Sequence, residues 1–187
     1  MATRPVIETE RLRLRPFADS DAEAVHRFAG DRRVADTTAA IPHPYEVGMA
    51  EAWIATHEAS WELGRGLTLA IASRASDELI GAIGLRIEPA RRSAELGYWI
   101  GVPYWGRGYC TEAARALVAH GFTALHLDQI HAYHMVRNQA SGRVLEKVGM
   151  KFGHLQPRGM QKWGNFEDLR HLVILRKEWG RQTTDDR

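Results

Sequence analysis

The stretch YWGRGYCTEAARALVAHGF, residues 104–122, sets two glycines around one arginine and runs straight into an alanine-rich segment that reads as a helix. A helix N-terminus exposes N–H groups without intrahelical partners and carries a partial positive charge. Glycines just before it let the main chain come close to a ligand, because no Cβ intervenes. With Arg107 between them, Gly106 and Gly108 form a place that suits a phosphate. The plainer reading is a glycine-rich strand-to-helix turn with a solvated arginine. A P-loop requires lysine and then Ser or Thr after its last glycine, whereas Gly108 is followed by Tyr109 and Cys110. A dinucleotide fingerprint requires a third glycine or alanine where Thr111 stands, and it belongs on the first strand of its domain.

The elements that position this stretch follow from periodicity. In ETERLRLRPF, Leu12 and Leu14 face one way and Arg11, Arg13 and Arg15 the other, which predicts a half-buried strand. Ser20 and Glu23 have capping-box spacing, so a helix is expected from about Asp21. A second helix is expected over 45–63, ended by Gly64. LTLAIASR and ELIGAIGLRIEP read as a hairpin. AELGYWIGV, residues 94–102, is the strand that feeds the glycine stretch, and Pro103 stops it. A helix over 111–124 and a strand over 129–136 complete a right-handed parallel βαβ unit. A fourth helix spans 139–148 with Gly149 behind it, and two last strands lie near KFGHLQ and DLRHLVILR. Seven strands and about four helices make one α/β domain over residues 1–180 with a mixed sheet, and 181–187 read as a disordered tail.

Composition narrows the classes. The 187 residues, 44% hydrophobic and 26% charged, support one domain with a sizeable core. A formal net charge of +2 does not argue for nucleic acid, and no apolar run approaches the ~20 residues of a membrane span. Pro5 and Pro16 break a charged opening, so no secretory signal is expected, and a lone cysteine offers neither an internal disulfide nor a metal cluster. A reducing cytoplasm is the default compartment, and no metal is expected.

The glycine stretch resembles the acetyl-CoA loop of the GCN5-related N-acetyltransferases (GNAT), whose pattern is Gln/Arg-x-x-Gly-x-Gly/Ala. Trp105 takes the first position, Gly108 the central glycine and Cys110 the last small residue; Trp105 and Cys110 depart from the pattern. WGRGYCTEA is similar to the WGKGYATEA of one branch, the ribosomal-protein N-terminal acetyltransferases of RimJ/RimL type. TERLRLRPF, AELGYWIG and NQASGRVLEKVGM match the same branch in the right order, over about residues 8–150.

The resemblance implies a mostly antiparallel sheet with a central, splayed parallel pair of strands, and acetyl-CoA as co-substrate. The diphosphate would meet the N–H groups of Arg107, Gly108, Tyr109, Cys110 and Thr111 and the Arg107 side chain. The pantetheine arm would lie along the exposed edge from Tyr98 to Val102, including Ile100, on a bulged strand splayed from 129–136. Asn138 would bond that arm, and Ser141 would sit near the sulfur and help protonate the thiolate. Asn138 also reads as an N-cap and Ser141 as a first-turn residue. The Ile100 N–H would serve as oxyanion donor and Glu95 as base, although Glu95 also reads as an ion-paired strand residue. Cys110 reads as packing rather than nucleophile. His131 and His134, on opposite faces of their strand, read either as relays or as structural residues. The acceptor is an amine, of a protein N-terminus or a small molecule such as an antibiotic; a non-catalytic acyl-CoA sensor is the third reading. Its pocket would be built by the first two helices, with Trp53 and Trp61, and by the loop RGMQKWGNFEDL with Arg158, Lys162 and Trp163. A homodimer is compatible with the family.

Overall fold

Alternation of leucine with arginine sets β2 (Leu12–Arg15), where Leu12 and Leu14 are buried. In the computed structural model, which describes residues 3–185, β2 pairs antiparallel with a short β1 (Ile7–Glu8). Three helices follow: α1 (Ala22–Ala29), α2 (Arg32–Asp36) and α3 (Met49–Glu62). The hairpin of β3 (Gly66–Ser73) and β4 (Leu79–Glu88) forms as expected, and β5 (Ser93–Ile100) lies antiparallel to β4. Next, α4 (Tyr109–Thr123) crosses over to β6 (Gln129–Met135), which runs parallel to β5. The chain ends with α5 (Gln139–Lys147), the hairpin β7 (Lys151–Lys162) and β8 (Asn165–Leu175), and α6 (Arg176–Asp185). The sheet order is β1-β2-β3-β4-β5-β6-β8-β7.

Each face of the sheet has its own core. On one face, Ala113, Ala114, Leu117, Val118 and Phe122 of α4 and Leu145 of α5 bury against Leu85, Leu96 and Ile130. On the other, Val25 and Phe28 of α1 and Ala50 and Ile54 of α3 pack on Ala70, Ala82 and Trp99. β5 therefore sends Leu96 and Ile100 to the α4 face and Trp99 to the α1/α3 face, the alternation its sequence predicts.

The sheet has eight strands rather than seven, because β1 pairs separately, and six α-helices occur among the described residues rather than about four. The extra helices are α2, capped by the Asp31 side chain on the Arg33 N–H, and α6. The second expected helix begins at Met49, since Gly48 takes a left-handed φ of 88°. No side-chain cap from Ser20 appears; the Asp21 carboxylate instead accepts from the Ala18 N–H at 2.8 Å and from Arg15 at 2.7 and 3.0 Å. The stretch RGMQKWGNFEDL, expected as a loop, is strand except for a two-residue turn. Trp163 and Gly164 hold φ of 48° and 83°, the pair of left-handed residues that closes a tight hairpin. β5 carries no bulge: its register against β4 runs unbroken from Ser93 to Ile100. Residues 181–185 continue α6, and the remainder of the tail read as disordered lies outside the described residues.

Candidate active site

β5 and β6 pair over Ser93–Glu95 and Gln129–His131 only. Beyond Glu95, β5 stays on β4 as far as Ile100, while β6 stays on β8 as far as Met135. The sheet opens between them. The Gly101 N–H donates to the Ile80 carbonyl at 2.9 Å. Alternation along an antiparallel pair then turns the main-chain groups of Tyr98 and Ile100 away from β4 and into the gap. The Ile100 carbonyl accepts from the Trp105 indole Nε1 at 2.7 Å. The Ile100 N–H therefore faces an open edge, as Tyr98 does with both its main-chain groups. Val102 has left that edge: it begins a 3-10 turn, Val102–Tyr104, and its carbonyl accepts from the Trp105 N–H.

The entrance of α4 lies beside the gap. Gly106 and Gly108 have φ of 74° and 81°, which glycine adopts without steric cost. Gly108 is the N-cap and has no side chain, so Tyr109, Cys110 and Thr111 present first-turn N–H groups that no capping oxygen covers. Glu112, in the same turn, is occupied elsewhere: it accepts from Thr9 Oγ1 at 2.7 Å, the Arg11 N–H at 2.9 Å and Arg11 Nε at 2.7 Å. Burial pushes this carboxyl up, but those donors outweigh burial and hold it below its ordinary value. Arg11 also donates from Nη1 to the Arg107 carbonyl at 3.0 Å and lies 4.7 Å over the Tyr109 ring. A second guanidinium thus stands beside exposed Arg107. The leucine–arginine alternation marks Arg11 only as a solvent-facing residue and gives no sign that it reaches a loop 96 positions away. Burial pushes the Cys110 thiol up to about 12, so this residue is an uncharged packing group.

Across the gap, the Tyr98 hydroxyl is 2.8 Å from Ser141 Oγ and donates to the Ser141 carbonyl at 3.2 Å. Burial raises Tyr98 above its ordinary value, which keeps the phenol protonated. This bridge joins β5 to the first turn of α5; Tyr98 is expected from the sequence only as part of the strand edge, because strand periodicity gives no sign of where its hydroxyl reaches. Asn138 is the N-cap of α5: Oδ1 accepts from the Ser141 N–H at 3.1 Å, and Nδ2 donates to the Thr37 carbonyl at 3.3 Å. His134, on the same face of the sheet, is buried against Gly142 of α5 and bonded through Nδ1 to the Met135 carbonyl, which is a packing role.

Glu95 lies on the opposite face, ion-paired with Arg86 and with Oε2 3.9 Å from His131 Nε2. It edges a cleft of about 670 Å³ lined by Trp53, Gly97, Trp99 and Tyr133, and the same cleft reaches Tyr98 and Ser141. The gap is therefore a passage from one face of the sheet to the other. Residues 37–42 form an outer wall, pinned by Arg137 on Asp36, by Asn138 on Thr37 and by Lys162 Nζ on the Ile41 carbonyl at 2.8 Å. Of the residues expected to build this pocket, Trp53 and Lys162 take part. Arg158 does not: its N–H is bonded to Asp168 and its guanidinium lies over Phe166. Among the described residues, no cluster of His, Cys, Asp and Glu is arranged to hold a metal ion, and no helix is long and apolar enough to cross a membrane.

The acetyltransferase (GNAT) domain family matches residues 11–151. An uncharacterised N-acetyltransferase of Bacillus subtilis, YoaA, is 34% identical over 148 residues, 79% of this chain and 83% of that protein. Among solved structures, RimJ of Mycobacterium smegmatis in complex with CoA-disulfide superposes with a TM-score of 0.84 at 24% identity, covering 98% of this chain and 96% of that one. RimL, a ribosomal L7/L12 α-N-protein acetyltransferase in complex with coenzyme A, superposes with a TM-score of 0.84 at 18% identity, covering 91% and 98%. These two likenesses show the fold.

Proposed function

The chain belongs to the GNAT acetyltransferase family and is an acetyl-CoA-dependent N-acetyltransferase, and on that premise we propose that it acetylates the α-amine of a protein N-terminus. One observation carries the site assignment: β5 and β6 part after three residue pairs beside an uncapped helix start. The first-turn N–H groups of Tyr109, Cys110 and Thr111, with Arg107 and Arg11, suit the diphosphate. The free edge at Tyr98 and Ile100 suits an extended amide-bearing arm that pairs like a strand. The Ile100 N–H then stands ready for the carbonyl oxygen as charge develops on it. In this reading the protonated Tyr98 hydroxyl, backed by Ser141, gives a proton to the departing thiolate. Glu95, on the other side of the passage, takes one from the amine. Asn138 holds the start of α5 in place and has a second amide hydrogen for the arm.

The charge of the cleft supports the α-amine reading. Its lining contains one carboxylate, Glu95, which is already paired with Arg86, and adds the cation Arg65. A polycation would find no free negative charge there, whereas an α-amine near pKa ~8 gives up its proton more readily than a lysine. A RimL-type relative that acts on a ribosomal protein's α-amine is in keeping with this reading. The test is a screen for coenzyme A release with hexapeptides bearing a free N-terminal serine or alanine, spermidine and an aminoglycoside. Turnover confined to the peptides is the expected result. Preference for a small amine would move the enzyme to the antibiotic or polyamine class, and binding without turnover on any amine would make it a sensor.

A further inference from the structure

We infer that the proton taken from the acceptor amine leaves the site along a row of histidines, His131, His171 and His154, that crosses three adjacent strands. This rests on the reading of Glu95 as the base. Register places the row: Glu95 is opposite His131, Tyr133 opposite His171, and His171 opposite His154, so all five side chains share the sheet face of the acceptor cleft.

Among the described residues no hydrogen bond joins one member of the row to the next, so the spacing suits transfer through intervening water. Glu95 Oε2 is 3.9 Å from His131 Nε2. The His131 and His171 rings are 5.5 Å apart between centres, and His171 stacks on His154 at 4.5 Å. Tyr133 lies beside the row, 4.9 Å from His171. Exposure rises outward, from a His131 side chain 14% exposed to an exposed His154. A second cavity of about 490 Å³ borders Glu95, His131 and His171, and Glu95 is shared by both cavities. The Nδ1 atoms of His131 and His171 are buried without a hydrogen-bond partner, which is costly unless a proton carrier such as water visits them. The charged groups facing the row from its neighbours are Arg86 and Glu88 of β4, Arg91 of the following turn, and Glu95 itself. Burial lowers His131 and His171, and for His171 the neighbouring imidazoles add to it, so both rings are neutral and able to accept at neutral pH.

The balance requires such an exit. When a protonated amine is acetylated, a C–N bond forms, a C–S bond breaks and two protons leave nitrogen. One ends on the thiolate and the other goes to solvent. Glu95 takes that second proton and passes it to His131, and water in the second cavity carries it on from ring to ring towards solvent. These are relay residues, not groups that touch the substrate.

The test measures acetylation of the N-terminal serine hexapeptide by the full chain with His131→Ala and His171→Asn. His131→Ala is expected to slow turnover about tenfold or more, most strongly near neutral pH, where the ring is neutral and the amine still protonated, and less as pH falls, with KM for acetyl-CoA unchanged. Added imidazole is expected to restore the rate in proportion to its neutral form, which a merely structural residue would not permit. Turnover like the wild type, or a loss equal at every pH and unmoved by imidazole, overturns the relay. Should His131→Ala not fold, His171→Asn is judged by the same buffer dependence. An inactive wild type would instead sink the acceptor reading itself, so the two failures are told apart.

Discussion

At the scale of single residues, the site divides into groups whose type was readable and groups whose placement was not. Asn138 caps α5 and Ser141 lies in its first turn, as their residue types suggest, but nothing in the sequence shows that Asn138 spends one end capping Ser141 and the other on Thr37. Tyr98 and Arg11 lie in matched stretches, AELGYWIG and TERLRLRPF, yet neither shows its side-chain role there, because an aromatic or arginine on a strand is ordinary until a long-range partner is known. Glu95→Gln keeps the shape and removes the basic oxygen. It is expected to lower kcat/KM for the peptide by roughly a hundredfold or more while leaving acetyl-CoA affinity intact, as read from steady-state kinetics with separate binding titrations. A change within about threefold would argue for a water chain as the base. For Cys110, the buried thiol implies that Cys110→Ala keeps activity and that the native enzyme resists alkylation at neutral pH. Rapid inactivation by iodoacetamide would contradict this.

At the scale of elements, the entrance of α4 depends on backbone freedom. Gly108→Val forces a β-branched residue into a φ of 81° and adds atoms toward Arg11, whose Nη2 lies 3.4 Å from the position of a Cβ. Acetyl-CoA affinity is expected to fall at least tenfold, with a folded protein by circular dichroism; unchanged affinity would displace the diphosphate from this loop. The start of α1 depends on the pair of Arg15 with Asp21, both largely buried. Burial pushes Asp21 up, yet Arg15 and the Ala18 N–H outweigh it, so the net shift is downward. A carboxyl depressed on folding contributes stability that is present above its unfolded value near 4 and lost as pH falls through the folded one. Asp21→Asn is expected to cost roughly 1–3 kcal/mol in urea unfolding at pH 7, and the difference from the native protein should shrink below pH 4. Elements of strong periodicity, β2, the β3–β4 hairpin and the βαβ unit, were legible. The long β7–β8 hairpin was not, since Gly159, Trp163 and Gly164 read as loop residues when two of them only close a turn.

At the scale of the whole molecule, order and direction of strands were legible from chain connectivity, whereas the opening of the sheet was not a property of any residue. It arises because β5 is held by β4 along its whole length and β6 by β8 along its own, so the two halves follow separate registers beyond Glu95. The regularity of β5 also means that the gap owes nothing to a bulge in that strand. The cofactor is expected to bridge the halves from one face while the acceptor reaches Glu95 from the other. The most direct check is amide chemical shift and hydrogen exchange by NMR as acetyl-CoA is titrated. The account predicts the largest shifts and new protection at the N–H groups of Tyr109, Cys110 and Thr111 and at Tyr98 and Ile100. Saturable binding that leaves those five amides unmoved would contradict it.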